Sequence, residues 1–226
     1  MGALIRFNPI AWLRRGVSLE VQRRVLREAG ERAARVRGLS VRWFVTLKRE
    51  AGPQEWEAAV DAGAAARSAG VIGVDVSRAY PVDDPEARPA GGRAADPGLA
   101  SALARAREAE LAVAAHCGWY DGRAELEEAL GWGATRIGHG TPLVAAPDLV
   151  GELSRRGVTV EVCPTAFERR TGRRLKELPV EEWLAAGIGV EVGTDHPLAL
   201  GTDLRTEARK LGEAFPGWHA PGAPGM

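Results

Sequence analysis

The sequence predicts an α/β fold, a TIM-type (β/α) barrel that is incomplete, with about seven of its eight strands. Three observations carry that prediction. Short runs rich in Val and Ile alternate with amphipathic stretches almost from end to end, as in parallel strands covered on both faces. The first run leads into Asn8-Pro9 with no G-x-G-x-x-G after it, which argues against a dinucleotide-binding open sheet. Polar residues stand at the C-terminal ends of many different runs: Asn8, Lys48, Asp75, His116, His139, Cys163 and the pair Asp195-His196. Barrels collect their active sites on that rim.

In order, the predicted strands cover Ala3–Phe7, Val41–Leu47, Val71–Val76, Leu111–Ala115, Thr135–Ile137, Val158–Val162 and Ile188–Val192. Between the first two, Ser18 is placed to cap a helix whose apolar residues are Val25, Leu26, Ala29, Ala33 and Val36. Pro53 opens the next helix, with Trp56, Ala59, Val60 and Ala64 on one face. Asp96-Pro97 supplies an N-cap and a favoured first-turn proline ahead of Leu99 and Leu103. Gly38, Gly70, Gly157 and Gly187 each precede a strand, where a helix end calls for a left-handed residue. The stretch from Pro81 to Pro97 reads as a long rim loop, and the Pro/Gly-rich tail from Pro216 to Met226 as frayed. No repeat or linker divides the chain, so residues 1–226 are expected to form one barrel domain.

Composition narrows the function classes. Thirty basic and thirty acidic residues balance to zero net charge in a chain of 226 residues. A nucleic-acid binder working by phosphate neutralisation is therefore not expected. With 45% hydrophobic residues the chain has material for a core, and it lacks the signature of disorder. No apolar run approaches the roughly 20 residues of a membrane span, and the first residues do not read as a signal peptide. Cys117 and Cys163 are too few for a disulfide framework and read as small buried residues at strand ends. The expected location is the cytoplasm. Trp12, Trp43, Trp56, Trp132 and Trp183 fall in patterned segments and are assigned to packing.

Four histidines occur, of which His116, His139 and His196 end predicted strands and His219 lies in the tail. One such histidine is commonly structural; three with an aspartate on one rim point to a site. The segments that hold them, in order, are A-H-C-G-W-Y, R-I-G-H-G, E-V-C-P-T-A and G-T-D-H-P. They resemble the adenosine deaminase family of the amidohydrolase superfamily, which reads H-A-G-E, R-I-G-H-G, E-x-C-P-x-S and T-D-D-P at barrel strands five to eight. Arg6-Phe7-Asn8-Pro9 is similar to that family's R-F-x-P at strand two, and Val71–Val76 fits strand four.

The resemblance implies a metal-dependent hydrolase barrel. In that family, three histidines and an aspartate hold one zinc, which lowers the pKa of a water that attacks C6 of adenine. By motif, His116 matches one zinc histidine, Asp195 the aspartate ligand, and His139 the residue that orients and deprotonates the water. His139 and Asp195 are thus the catalytic candidates, His116 and Asp195 an incomplete ligand set to which His196 could add. Gly118, Trp119 and His196 are the substrate-binding candidates.

Three departures from the family pattern bear on activity. No H-x-H occurs anywhere in the chain, so the two zinc histidines of the family's first strand have no counterpart. Trp119 stands where H-A-G-E has its proton-donating glutamate, and indole offers only a non-titrating N–H. His196 replaces the second aspartate of T-D-D-P, changing the donor and acceptor pattern shown to a purine. The expected function is an adenosine-deaminase-like protein that has lost ordinary zinc-dependent deamination, as a relic or a repurposed binder of a nucleoside or heterocycle. One alternative is an active hydrolase or deaminase attacking the cyclic amidine C–N bond of an unusual heterocycle through a rebuilt metal site. In another, exposed strand edges recruit a second copy or a strand-donating partner. Zinc is the metal implied if any is held, and the set is also consistent with none. The missing strand leaves four resolutions open: a start upstream of Met1, closure of the seven strands on one another, a strand supplied by a second copy or another protein, or an open form.

Overall fold

The computed structural model describes residues 2–77, 96–117 and 122–219. Seven strands occur among these residues: β1 (Gly2–Phe7), β2 (Ser40–Lys48), β3 (Val71–Ser77), β4 (Ala112–Cys117), β5 (Arg136–His139), β6 (Thr159–Val162) and β7 (Gly189–Val192). Each coincides, within two residues at either end, with a run predicted from sequence. Helices fill the intervals: α1 (Pro9–Leu13), α2 (Leu19–Arg37), α3 (Pro53–Ala65), α4 (Pro97–Glu108) and α5 (Arg123–Gly131) come first. They are followed by α6 (Val150–Arg155), α7 (Pro164–Thr171), α8 (Val180–Ala185), α9 (Pro197–Leu200) and α10 (Leu204–Ala214).

Residue contacts divide the chain into two compact units, one holding β1 to β3, α1 to α4 and β4 as far as His116, the other the chain from Cys117 onward. In the first unit β1, β2, β3 and β4 pair in that order, all parallel. In the second, β5, β6 and β7 do the same. Caps form as predicted: Ser18 Oγ accepts from Val21 N at the start of α2, and Asp96 Oδ1 accepts from Gly98 N at the start of α4. Asn8, expected on the functional rim, caps α1 by accepting from Ala11 N at 3.0 Å. Gly38 closes α2 at φ 61°, a conformation that a Cβ would strain.

The core is formed where strand and helix faces meet. Val45, Leu47, Val74 and Val113 of the strands are buried, as are Trp56, Val60, Leu99 and Leu103 of α3 and α4, and Phe44 is buried on the opposite face of the sheet from Val45. In the second unit Ile137, Val160 and Val190 are buried, as are Leu126, Leu153 and Trp183. Of the tryptophans assigned to packing, Trp43, Trp56, Trp132 and Trp183 are buried and Trp12 is half-buried; Cys117 and Cys163 are also buried.

Two expectations are corrected. Leu26 of α2 is buried, but Val25 and Val36 point outward, with Val36 64% exposed. The long helix buries a narrow stripe, and residues at its margin stay wet. The tail is anchored at its start, because Trp218 is only 6% exposed and its Nε1 donates to Val190 O at 2.9 Å. That hydrogen bond satisfies the indole N–H inside the second unit. His219 is exposed, as expected. Most of the predicted rim loop, and the tail beyond residue 219, lie outside the described residues.

Gly73 decides how closely β2, β3 and β4 approach. A Cβ built there would sit 2.5 Å from Phe44 Cε1 and 2.6 Å from the Ala112 carbonyl oxygen. Because one of those neighbours is backbone, the clash has no rotamer to relieve it. Gly73→Ala is expected to lower stability by about 2–3 kcal/mol, measured by urea or thermal unfolding.

Candidate functional site

In the first unit, strand register brings three charged or titratable side chains together. Arg6 pairs with Phe44 across β1 and β2, and Phe44 pairs with Gly73 of β3. Asp75 lies two residues beyond Gly73 and pairs with Ala114 of β4; His116 lies two residues beyond Ala114. A two-residue step keeps a side chain on the same face, so Arg6, Asp75 and His116 rise along one face of the sheet. Gly73 leaves space below Asp75, and the Arg6 guanidinium lies over the Phe44 ring, 5.9 Å from its centroid.

Asp75 is the centre of this group. It is fully buried. His116 Nδ1 lies 3.1 Å from Oδ1 and 2.9 Å from Oδ2, and Arg6 Nε lies 3.4 Å from Oδ2. Burial alone would push the Asp75 carboxyl up, but the charges of His116 and Arg6, with their hydrogen bonds, outweigh it and hold the group below its ordinary value of 3.8. Since a carboxylate only accepts, the hydrogen between Asp75 and His116 sits on Nδ1. Ligand and base histidines are oriented in the same way. Asp75 was legible as a strand-end residue, but its two partners were not.

The second unit holds His139, Asp195 and His196. His139 ends β5 at φ 69°, buried, and Gly140 N donates to Gly138 O at 2.9 Å across it. That is a γ-turn around a non-glycine residue, a strained conformation that the surrounding packing must enforce. Part of the enforcement comes from Gly140, where a Cβ would lie 2.5 Å from Val160 Cγ1. On the strand below, Arg136 Nε donates to Glu161 Oε1 at 2.7 Å, and the same guanidinium donates to Glu191, tying β5 to β6 and β7.

Asp195 also has positive φ, at 54°, with a side chain 8% exposed. Arg170 Nη2 donates to its Oδ2 at 3.1 Å, and His196 Nε2 lies 3.5 Å from its Oδ1. His196 itself is largely exposed. Arg170, absent from the sequence-derived candidates, sits in the last turn of α7. Only its place after E-V-C-P-T-A could have drawn attention to it, and an arginine in a helical last turn is ordinary.

Thus His116 is brought to Asp75 and Arg6, and Asp195 to Arg170 and His196. Gly118 and Trp119 fall outside the described residues. Among the described residues, neither unit contains three or more His, Cys, Asp or Glu side chains placed to hold a metal ion. No helix among them is long and apolar enough to cross a membrane.

Parallel strands joined by helices, with polar side chains at the strand ends, make an α/β protein of the TIM-type barrel kind, and known structures bear this out. An adenine deaminase from Arthrobacter aurescens superposes with a TM-score of 0.76 at 25% identity, covering 95% of this chain and 63% of its own. A Burkholderia ambifaria amidohydrolase with bound Zn gives a TM-score of 0.76 at 24% identity, covering 96% and 58%. The incomplete TIM-type barrel predicted from sequence is the fold found. The chain belongs to the adenosine deaminase family, whose model matches residues 3–222. It is 34% identical over 219 residues to the aminodeoxyfutalosine deaminase of Acidothermus cellulolyticus, covering 91% of this chain and 58% of that protein. The chain spans just over half the length of the curated relatives it matches.

The depressed pKa of Asp75 makes its contribution to stability pH-dependent. Ionised Asp75 contributes fully above its unfolded value, near pH 4, and the contribution is lost as pH falls through the lower folded value. Asp75→Asn is expected to cost about 3 kcal/mol at pH 7, since it leaves the Arg6 guanidinium without its counter-charge and His116 Nδ1 without its carboxylate acceptor. Urea unfolding from pH 7 to pH 2 should show the gap between variant and wild type narrowing below about pH 4.

Proposed function

We propose that this adenosine-deaminase-like chain binds a nucleoside or related small heterocycle and does not by itself carry out ordinary zinc-dependent adenosine deamination. One observation carries the reading: the chain has no H-x-H, and among its described residues no three ligating side chains converge in either unit. A catalytic zinc needs three protein ligands and an open position. The residues present do not fit the metal that the family uses, and no step is assigned to it here.

Each unit, taken by itself, presents polar groups at its strand ends that suit recognition of a polar ring. Asp75, itself paired with Arg6, accepts from His116 Nδ1 and so fixes the orientation of the imidazole. His139 is held at its strand end by a strained turn. Gly118, Trp119 and His196 are the proposed ligand contacts, with the indole offering a stacking face and the imidazole a donor or acceptor. The names of the relatives support the kind of ligand proposed. They are named as deaminases of aminodeoxyfutalosine, adenosine and adenine, and solved neighbours sharing the fold hold IMP and GMP.

Calorimetric titration of the purified chain with adenosine, inosine and aminodeoxyfutalosine tests this reading. Saturable binding of at least one, tighter than about 1 mM, is expected, with at least a tenfold loss in Trp119→Ala. No ammonia should be released from any of them when zinc is added. Sustained ammonia release that His139→Ala abolishes would contradict the proposal, as would failure to bind all three.

A further inference from the structure

We infer that Arg170 has taken over as the counter-charge of Asp195, so that a protein cation holds the carboxylate which, by resemblance, ligates zinc in the family. Arg170 Nη2 lies 3.1 Å from Oδ2, and His196 Nε2 lies 3.5 Å from Oδ1. Each carboxylate oxygen therefore faces a nitrogen of the protein. The Asp195 side chain is sheltered at 8% exposed, while that of Arg170, at 26%, keeps one side open to water.

The cation arrives on an anchored helix. At the N-terminal end of α7, the fully buried Glu207 of α10 accepts from Thr165 N at 2.8 Å and from Thr165 Oγ1 at 2.5 Å. Thr202 Oγ1 donates to the same carboxylate at 2.5 Å. Lys210 Nζ donates to Glu168 and to Thr165 Oγ1, fixing the same helix from its side. Asp195, for its part, is set in a left-handed backbone conformation that few non-glycine residues adopt. Both partners are thus positioned before they meet.

Guanidinium stays protonated at any pH the protein meets. A divalent cation approaching Asp195 would have to displace Arg170 or share the carboxylate with it, and two cations a few ångströms apart repel. Together with the replacement of the following aspartate by His196, this turns the end of β7 from a metal-binding corner into a charge-balanced one. The inference deepens the proposed function, resting on the reading that no catalytic metal is held.

The test is a double-mutant cycle on the full chain with Arg170→Met, Asp195→Asn and both together, followed by urea unfolding in EDTA and in excess zinc chloride. Each single variant should unfold at lower urea, and the double variant should lose no more than the worse single. The coupling expected is roughly fivefold or more in the unfolding equilibrium constant. Arg170→Lys should recover most of the loss, and the wild-type midpoint should be the same in both media. Additive losses would overturn the inference, as would a zinc-dependent rise in the wild-type midpoint that disappears in Asp195→Asn. If Asp195→Asn does not fold, the Arg170 variants decide, because Lys faring no better than Met overturns the inference. No nucleoside enters these measurements, so their failure is distinct from a failure to bind one.

Discussion

A carboxylate with no access to water has to be compensated by the groups around it, and Asp75 places that demand on the first unit. Its charge is stable because Arg6 approaches from β1 and His116 from β4, with β3 between them and β2 completing the register. Gly73, one step below, keeps the strands close enough for both to reach. The same contacts that stabilise the sheet orient the imidazole, so packing and site chemistry there are one arrangement.

The second unit meets similar demands separately. Arg136 is flanked by Glu161 and Glu191, and Asp195 by Arg170 and His196. Glu207, fully buried, has its oxygens occupied by Thr165 and Thr202. In each case a charge wholly or partly withdrawn from water is answered by a polar or charged neighbour distant in sequence. The strained backbones at His139 and Asp195 sit beside these pairs, as expected where packing over-determines a conformation.

Most of the fold was legible because parallel strands buried on both faces leave a plain trace in sequence. Runs such as Val71–Val76 and Val158–Val162 needed no partner information, and neither did the caps at Ser18 and Asp96. What escaped depended on distant pairings. Asp75 and His116 are 41 residues apart, and the Arg170–Asp195 pair spans 25, with no local pattern to join either. Val36 was misplaced because helical periodicity marks a face without fixing its width. Trp218 was misread because composition described the tail as loose, while a single buried indole N–H decides its anchoring. His116 and His139 lie at the ends of β4 and β5, and Asp195 and His196 a few residues beyond β7, but only the three-dimensional structure showed that His116 meets Asp75 and Asp195 meets Arg170.

The chain belongs to a deaminase family, yet it contains no H-x-H, and among its described residues no three ligating side chains converge within a unit. A fold does not by itself carry a metal site, which depends on a few side chains. The most direct measurement is zinc per chain, by elemental analysis of protein purified from zinc-supplemented culture and cleared of loosely bound ions. A stoichiometry far below one is the outcome predicted for a site balanced by its own cations. Close to one zinc per chain, lost on His116→Ala, would contradict it and show that the ligands of a working metal centre are present after all.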